Sequence, residues 1–389
     1  MNDVARLDPV ARARALAPAV LDAADTIERT RRIPEPLLTG LHEARLFRML
    51  LPRSCGGDQV DPGTYLQAID AISQADASVG WNLFVGNSSA LIAPFLELDV
   101  ARQIYADPRS LIAWGPPNAC RASAVDGGYR ITGRWDFASG CRQANWMGAH
   151  GLVTEPDGKV RLNRFGRPTV RTLLFPAAQA ELLDTWNTIG LRGTASDSYT
   201  VTDLFVPEAF STTREDPALR RERGPLYAFT MQGLYAVGVA GVALGTARAM
   251  LAAFIELATR KTPRNLGRLA DSATIQSGIA RAEARLGSAQ AYLLEVLEEI
   301  HARADDVAPI DTPDRARVRL ACSNAIQGAA EVADFTYKEA GVDAIFLGKN
   351  PFERRYRDLH TLTQQIQSRG AHFEQVGQVL LGNPPEVFY

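Results

Sequence analysis

The chain has 389 residues, 46% of them apolar, and a formal net charge of −2. That length buries a large core and predicts two or three domains, and the balanced charge gives no sign of a nucleic-acid partner or an anionic membrane. The four cysteines, Cys55, Cys120, Cys141 and Cys322, form no Cys-x-x-Cys pair, which predicts a reduced, cytoplasmic protein rather than a disulfide framework.

Asp3, Arg6, Asp8, Arg12 and Arg14 leave the N-terminus without the apolar core of a signal peptide. The first helix is predicted over 9–31, with Leu16, Val20 and Ala24 on one face. Ile33-Pro34-Glu35-Pro36 stops it, and Pro36 suits the first turn of a second helix with the stripe Leu37, Leu38, Leu41 and Ala44. Asp61-Pro62 caps a third helix carrying Tyr65, Ile69 and Ile72. Ser78-Val79-Gly80-Trp81 opens a fourth that runs to about residue 95, and 98–106 reads as a short fifth.

The pattern then changes. Short apolar runs, punctuated by Gly, Pro and Asp, predict strands over 111–114, 119–125, 129–137, 146–153, 170–175, 180–186 and 198–206. Their close spacing predicts an antiparallel barrel or sandwich. Within it, Gly127-Gly128 makes a tight turn. Tyr129, Ile131, Trp135 and Phe137 then follow at pleated spacing, and Ser139-Gly140 breaks the strand. Beyond Pro217 the helical period returns over 231–259, 271–303, 312–340 and 353–381. Gly241 and Gly245 permit a close helix contact, and Gly341 and Gly348-Lys349-Asn350-Pro351 separate the last two helices. The uncharged run 231–247 is shorter than the ~20 residues of a membrane span and reads as a buried helix. The fold class is therefore α+β: a helical domain (1–110), a β domain (111–217) and a four-helix bundle (218–389).

Three stretches in this order resemble the acyl-CoA dehydrogenase superfold: Trp135-Asp136-Phe137-Ala138-Ser139-Gly140, Leu191-Arg192-Gly193-Thr194-Ala195-Ser196-Asp197-Ser198, and Arg354-Arg355-Tyr356-Arg357-Asp358. The resemblance covers nearly the whole chain and implies a flavin between the β domain and the bundle. The superfold hosts two chemistries. Dehydrogenases abstract a thioester α-proton with a carboxylate. Two-component monooxygenases bind reduced flavin made elsewhere, form its C4a-hydroperoxide with O2 and transfer one oxygen atom.

The form Trp-x-Phe-Ala-Ser-Gly, and Trp81 after Ala77-Ser78-Val79-Gly80, resemble the monooxygenases. No acid lies between Asp358 and Glu374, where many dehydrogenases of the family carry their base. Glu256 and Glu331, on earlier helices, keep the dehydrogenase alternative open. The histidines that phenol hydroxylases of the superfold often carry, eight residues beyond the Arg of Arg-Asp and seven beyond the Gly-Trp tryptophan, fall by ungapped spacing on Gln365 and Ser88. Without a base to deprotonate a phenol, the favoured substrate is a neutral, electron-rich aromatic of indole type, an N- or S-oxygenase being a further alternative. Gln364 or Gln365 could accept an indole N–H.

The resemblance gives Ser139 a hydrogen bond to flavin N5, against a hydroxyl that merely satisfies a strand end. Trp135, Arg192, Gly193, Thr194 and Ser196 would contact the flavin, against core, turn and cap roles. Arg264, with Arg260, lies where relatives hold flavin phosphates from a neighbouring subunit. His360 shares a helix face with Gln364 and is a candidate catalytic group, against a plain helix histidine. Trp81, Phe84, Ser88, Trp114 and Phe346 are candidate pocket walls, against plain core residues. No metal-like His spacing occurs. The expected cofactor is reduced FAD or FMN, with FAD slightly preferred and no metal. Because no Gly-x-Gly-x-x-Gly follows a strand, the expected partners are a separate NAD(P)H flavin reductase and a small aromatic substrate. The resemblance also implies a homotetramer.

Overall fold

In the computed structural model, Asp8 starts the first helix by accepting the Ala11 N–H at 3.0 Å, and Pro9 occupies the first turn. The structure describes residues 8–116, 120–214, 216–348, 351–383 and 385. Asp3 and Arg6, Pro117-Asn118-Ala119, where the second strand was expected to begin, and Lys349-Asn350 lie outside them. Helix α1 (Pro9–Thr30) ends at Arg31, whose φ is +53°. Next come α2 (Glu35–Glu43), α3 (Pro62–Ser73), α4 (Ala77–Ala90) and α5 (Leu98–Ile104). Aspartates cap α3 and α4: Asp61 accepts the Thr64 N–H at 2.8 Å and Asp76 the Val79 N–H at 2.9 Å. Helix α4 stops before the expected residue 95. Pro94 has no N–H to continue the ladder and sits in the 3-10 turn Ala93–Phe95.

Among the described residues the sheet has eight strands: β1 (Ile112–Trp114), β2 (Arg121–Val125), β3 (Gly128–Ala138), β4 (Trp146–Thr154), β5 (Val170–Pro176), β6 (Glu181–Leu183), β7 (Asp197–Pro207) and β8 (Ser211–Thr212). They lie in the order β6-β7-β3-β2-β4-β5-β8, with β1 also on β4. The sheet is mixed rather than wholly antiparallel, because β1 and β2 both run parallel to β4. β8 carried no sequence signal. Odd residues of β4, Met147, Ala149 and Val153, point into the β core with Tyr129, Trp135 and Tyr199. Trp146 turns to the other face and stacks on Phe210 at 5.8 Å.

Three long helices follow, α6 (Met231–Arg260), α7 (Ala273–Arg303) and α8 (Thr312–Ala340). Helix α6 is long and apolar enough to cross a membrane, but its apolar residues join one core with α3, α4, α7 and α8. The close contact that Gly241 and Gly245 permit is made with α3: a Cβ on Gly245 would stand 2.3 Å from Asp70 O. The expected last helix, 353–381, is broken. It forms α9 (Phe352–Leu362), a 3-10 turn at Ile366–Ser368, and α10 (Ala371–Leu380). The break has a local cause. Gln365 adopts ψ 147° and its side chain accepts the Gln367 N–H at 2.7 Å, a capping bond that competes with the helical ladder.

Candidate active site

Ser139 is placed by a kink in β3. The β3–β7 register slips between Trp135 and Ala138, and Phe137 takes φ +60° inside that bulge. A left-handed residue breaks strand alternation. Trp135 stays inside at 0% exposure, stacks on Tyr199 at 5.3 Å and donates its Nε1–H to His150 O at 3.0 Å. Phe137, which pleated spacing puts on the same face, is instead 63% exposed and meets Trp186 edge-on at 6.3 Å. The expectation that Trp135 contacts flavin is corrected: its indole is enclosed in the sheet core. Phe137 is the ring that faces outward, and it was missed because a positive φ at a phenylalanine leaves no mark in a hydrophobic pattern.

The Ser139 hydroxyl belongs to a chain of hydrogen bonds. Trp81 Nε1–H donates to Ser139 Oγ at 3.0 Å, Ser139 Oγ lies 2.6 Å from Ser196 Oγ, and Ser196 Oγ lies 2.7 Å from Thr194 Oγ1. Thr194 donates to Leu191 O at 2.8 Å. Each hydroxyl has one proton, so the bond from Thr194 to Leu191 O sets the direction of the others. Thr194 has given its proton to Leu191, Ser196 therefore gives to Thr194, and Ser139 gives to Ser196. Ser139 is left with an unused lone pair. In the reverse direction Ser139 accepts from Ser196, and its own proton is free for an acceptor outside the chain.

The loop that carries Thr194 and Ser196 is held from behind. Its 3-10 turn Arg192–Thr194 lies between two left-handed residues, Leu191 (φ +49°) and Ala195 (φ +42°). Asp358, from the Arg-Asp motif on α9, accepts the Leu191 N–H at 2.6 Å. Burial, and then the nearby Asp76 carboxylate, push the Asp358 pKa up to about 8. A Cβ on Gly193 would stand 2.1 Å from Ile27 Cγ2 and 2.9 Å from Ser78 Cβ. Gly193 is thus required by packing against α1 and α4. The Arg192 guanidinium is turned away from Ser139, toward Thr188 O at 2.9 Å and Glu28 at 3.6 Å. Its expected flavin contact becomes a loop-tying role.

From Trp81, which bonds Ser139, aromatic rings continue as a wall. Trp81 meets Phe84 edge-on at 4.7 Å, and Phe84 meets Tyr235 of α6 edge-on at 4.9 Å. The Tyr235 hydroxyl bonds the Gln365 side chain, and burial raises its pKa. Ser88, one helical turn beyond Phe84, is buried near the Tyr65 hydroxyl behind the wall. Tyr235 was missed; the signal was a lone polar-tipped aromatic in an Ala/Gly/Val helix. Gln365 reaches the wall, though its carbonyl already serves the Gln367 N–H.

Other expected positions lie elsewhere. Gln364 is exposed on the outer side of the break. His360 Nε2 pairs with Asp334 at 2.8 Å on the surface. The helical face they share is the outer one, which corrects their catalytic assignment. Phe346 stands on an exposed turn beyond α8. Trp114 packs over Gly148, edge-on to His150 at 5.2 Å. Arg264 is exposed beyond the end of α6; that end of the helix is about 38 Å from Tyr235 at the rise of a helix, so Arg264 is no part of the aromatic wall. Glu256 and Glu331, the alternative dehydrogenase bases, are exposed and pair with Arg260 and Arg285.

Comparison with known proteins identifies the family. The acyl-CoA dehydrogenase N-terminal domain family matches residues 10–98 and the C-terminal domain family residues 237–369. An indole-3-acetate monooxygenase of Pseudomonas putida is 31% identical, over 92% of this chain and 90% of its own. The chain belongs to the flavin-dependent monooxygenases of the acyl-CoA dehydrogenase family. The oxygenase component of an FADH(2)-dependent resorcinol hydroxylase from Rhizobium sp. is 28% identical over 98% of this chain and 95% of its own. The structure of XiaF from Streptomyces sp., in complex with FADH2 and glycerol, superposes with a TM-score of 0.88 at 25% identity, covering 98% of this chain and 96% of that one.

The residues present in this monooxygenase fit a flavin ring. Phe137 gives an exposed apolar surface. Beside it, Ser139 keeps a free lone pair, and Asn82 Oδ1 is buried next to Gly140 without a hydrogen-bond partner. Acceptors at the edge of an apolar surface suit a planar ring with N–H groups along one side.

Proposed function

We propose that this chain is the oxygenase component of a two-component system that places one oxygen atom of O2 on a small, electron-rich aromatic of indole type. One observation carries the reading: the helix break facing the aromatic wall bears an amide, Gln365, engaged with Tyr235 and the Gln367 N–H. The two carboxylates that could have replaced it point to solvent. A phenol becomes strongly nucleophilic only when its proton leaves, whereas an indole attacks through ring carbon without losing one. Among the described residues, the wall of Trp81, Phe84 and Tyr235 carries no carboxylate or imidazole, and this favours the indole.

Phe137, Ser139, Thr194 and Ser196 would hold the ring. Reduced flavin supplies the electrons that activate O2. Reduced isoalloxazine has an N–H at N5 and the oxidised ring a bare nitrogen; the hydroxyl chain can meet both, as acceptor in one direction and donor in the other. The buried rings of Trp81 and Phe84 keep water from the reacting face. FAD is preferred over FMN, on the strength of the resorcinol hydroxylase and XiaF. A separate NAD(P)H reductase would supply it reduced. A homotetramer suits the exposed apolar residues Leu347, Leu380 and Leu381, and four unpaired cysteines suit the cytoplasm.

The test mixes the purified chain with chemically reduced FAD, 18O2 and a panel of indoles, phenols and sulfides. An indole product carrying one 18O atom is the expected result. Peroxide alone with every substrate rejects the reading.

A further inference from the structure

The Arg354–Asp358 stretch lies in the first two turns of α9. Its three arginines reach away from Asp358, each to other groups. Arg354 pairs with Asp25 of α1 at 2.9 Å, and Arg355 donates to Gln74 O, ahead of α4, at 2.9 Å. Arg357 pairs with Glu28 of α1 at 3.0 Å and with Glu353 at 2.8 Å, and also donates to Ile189 O. Among the described residues, neither Asp358 nor Asp76 forms an ion pair, although the two are only 3% and 5% exposed.

Each of these carboxylates accepts a backbone N–H instead. Asp358 takes that of Leu191 at 2.6 Å, at the start of the loop that carries Thr194 and Ser196. Asp76 takes that of Val79 at 2.9 Å, in the first turn of the helix that carries Trp81. Loop and helix meet at Ser139, one through Ser196 Oγ and the other through the Trp81 Nε1–H. Asn82 Nδ2 joins them again by donating to Gly193 O at 3.1 Å. A Cβ on Gly190 would stand 2.2 Å from Arg357 O, so the loop and α9 are in backbone contact and move together.

Two buried carboxylates without cations of their own repel each other, and the second to ionise does so at a cost. Burial and then Asp76 raise the pKa of Asp358, and burial raises that of Asp76. The other charges that act on the pair are Glu28, which adds to the repulsion, and Arg354, Arg355 and Arg357, which are engaged as above. Of the further helices packed on α9, α8 offers Asp334, which His360 takes on the surface, and α6 is uncharged over 231–247.

We propose that Asp76 and Asp358 are paired positioning residues of the flavin site, one setting the helix and the other the loop that meet at Ser139, and that flavin binds tightly while no more than one of the two is charged. This rests on the ring being held at that loop, as read above. A ring laid on the loop displaces water and makes a second buried charge costlier, so binding favours the pair that keeps its proton. Affinity is therefore full in mildly acidic and neutral solution and falls as the pH rises above about 8.

Equilibrium dialysis of the intact chain against oxidised FAD, from about pH 6.5 to about pH 9.5, reads this directly. The Kd is expected to rise about five- to twentyfold across that range. Asp76→Asn and Asp358→Asn keep an acceptor and carry no charge, and each is expected to hold the Kd within about twofold over the same range. Asp358→Ala leaves the Leu191 N–H without its acceptor and is expected to weaken FAD about tenfold at about pH 6.5. A flat wild-type profile overturns the proposal, as does a rise equally steep in both asparagine variants. Those two outcomes leave the ring at the loop. Wild-type affinity in Asp358→Ala overturns the proposal by another route, because the loop then does not hold the ring. Should Asp358→Ala fail to fold by circular dichroism, the two asparagine profiles decide.

Discussion

The two faces of the candidate site are held by different physics. On the sheet side, the reactive hydroxyls hang on strained backbone. Phe137, Leu191 and Ala195 all have positive φ, a conformation costing a non-glycine residue roughly 1–2 kcal/mol each. Buried aspartates fix the loops around them. Asp358 takes the Leu191 N–H, and Asp197 takes the Thr185 and Trp186 N–H groups and the Arg142 guanidinium. On the helical side, Trp81, Phe84 and Tyr235 stand on regular helices and are fixed by ring packing. A polar, strained face fails when one atom is added or one proton moves. A packed face tolerates conservative exchange of its rings.

Gly193→Ala breaks the strained face most directly. The new Cβ would fall 2.1 Å from Ile27 Cγ2, so α1 or the loop must shift. Overpacking of this kind costs about 3 kcal/mol, and the shift displaces Thr194 and Ser196. Chemical denaturation should show the loss, and equilibrium dialysis should show FAD affinity more than tenfold weaker. Wild-type flavin affinity in a destabilised variant would mean that the loop does not hold the ring.

Asp358→Asn sharpens the comparison through protons. The folded chain keeps a proton on Asp358 up to about pH 8, while the unfolded chain releases it in the ordinary carboxylate range. The folded state binds more protons between those limits, so this contribution is fully present in acid and is lost as pH rises through about 8. Its slope reaches about 1.4 kcal/mol per pH unit. Asparagine can still accept the Leu191 N–H but has no proton to lose. Thermal unfolding between pH 6 and 8 should therefore become flatter in the variant. An unchanged slope would assign the dependence to Asp76 instead.

Ser139→Ala tests the hydroxyl chain itself. It leaves the Trp81 Nε1–H buried without an acceptor, at a cost of about 1 kcal/mol, and removes the group facing the ring. The fraction of O2 released as peroxide should rise several-fold while FAD affinity changes little. Unaltered coupling would reduce Ser139 to a strand-end hydroxyl.

The difference between the faces also explains what the sequence revealed. The α–β–α order was legible because helical and pleated periods differ over long stretches. The Arg192–Ser196 loop was legible because its geometry demands particular residues: Gly193 where no Cβ fits, and Asp358 where a buried N–H needs an acceptor. Trp135 was misread because alternation is assumed to continue through a strand, and the bulge at Phe137 depends on pairing with β7, which is not local information. The break at Gln365 was hidden for a similar reason. A glutamine capping its own helix end leaves the apolar period on either side nearly intact. Tyr235 gained its place only when α6 packed against α4.

The smallest expected effect concerns the outer side of that break. His360 and Gln364 share one of the two helix faces that spacing alone could turn toward the site. Because the helix stops at Leu362, that face is free to look outward, and His360 meets Asp334 and stacks against Tyr356 at 4.2 Å instead. A surface pair of this kind contributes less than about 1 kcal/mol. His360→Gln should therefore shift the unfolding midpoint by a degree or two and leave coupling and the pH profile of indole oxygenation as they are. A tenfold loss of product would place this helix face inside the site, most directly by contact with a second copy of the chain, and the helical wall would then have to be redrawn across a subunit boundary.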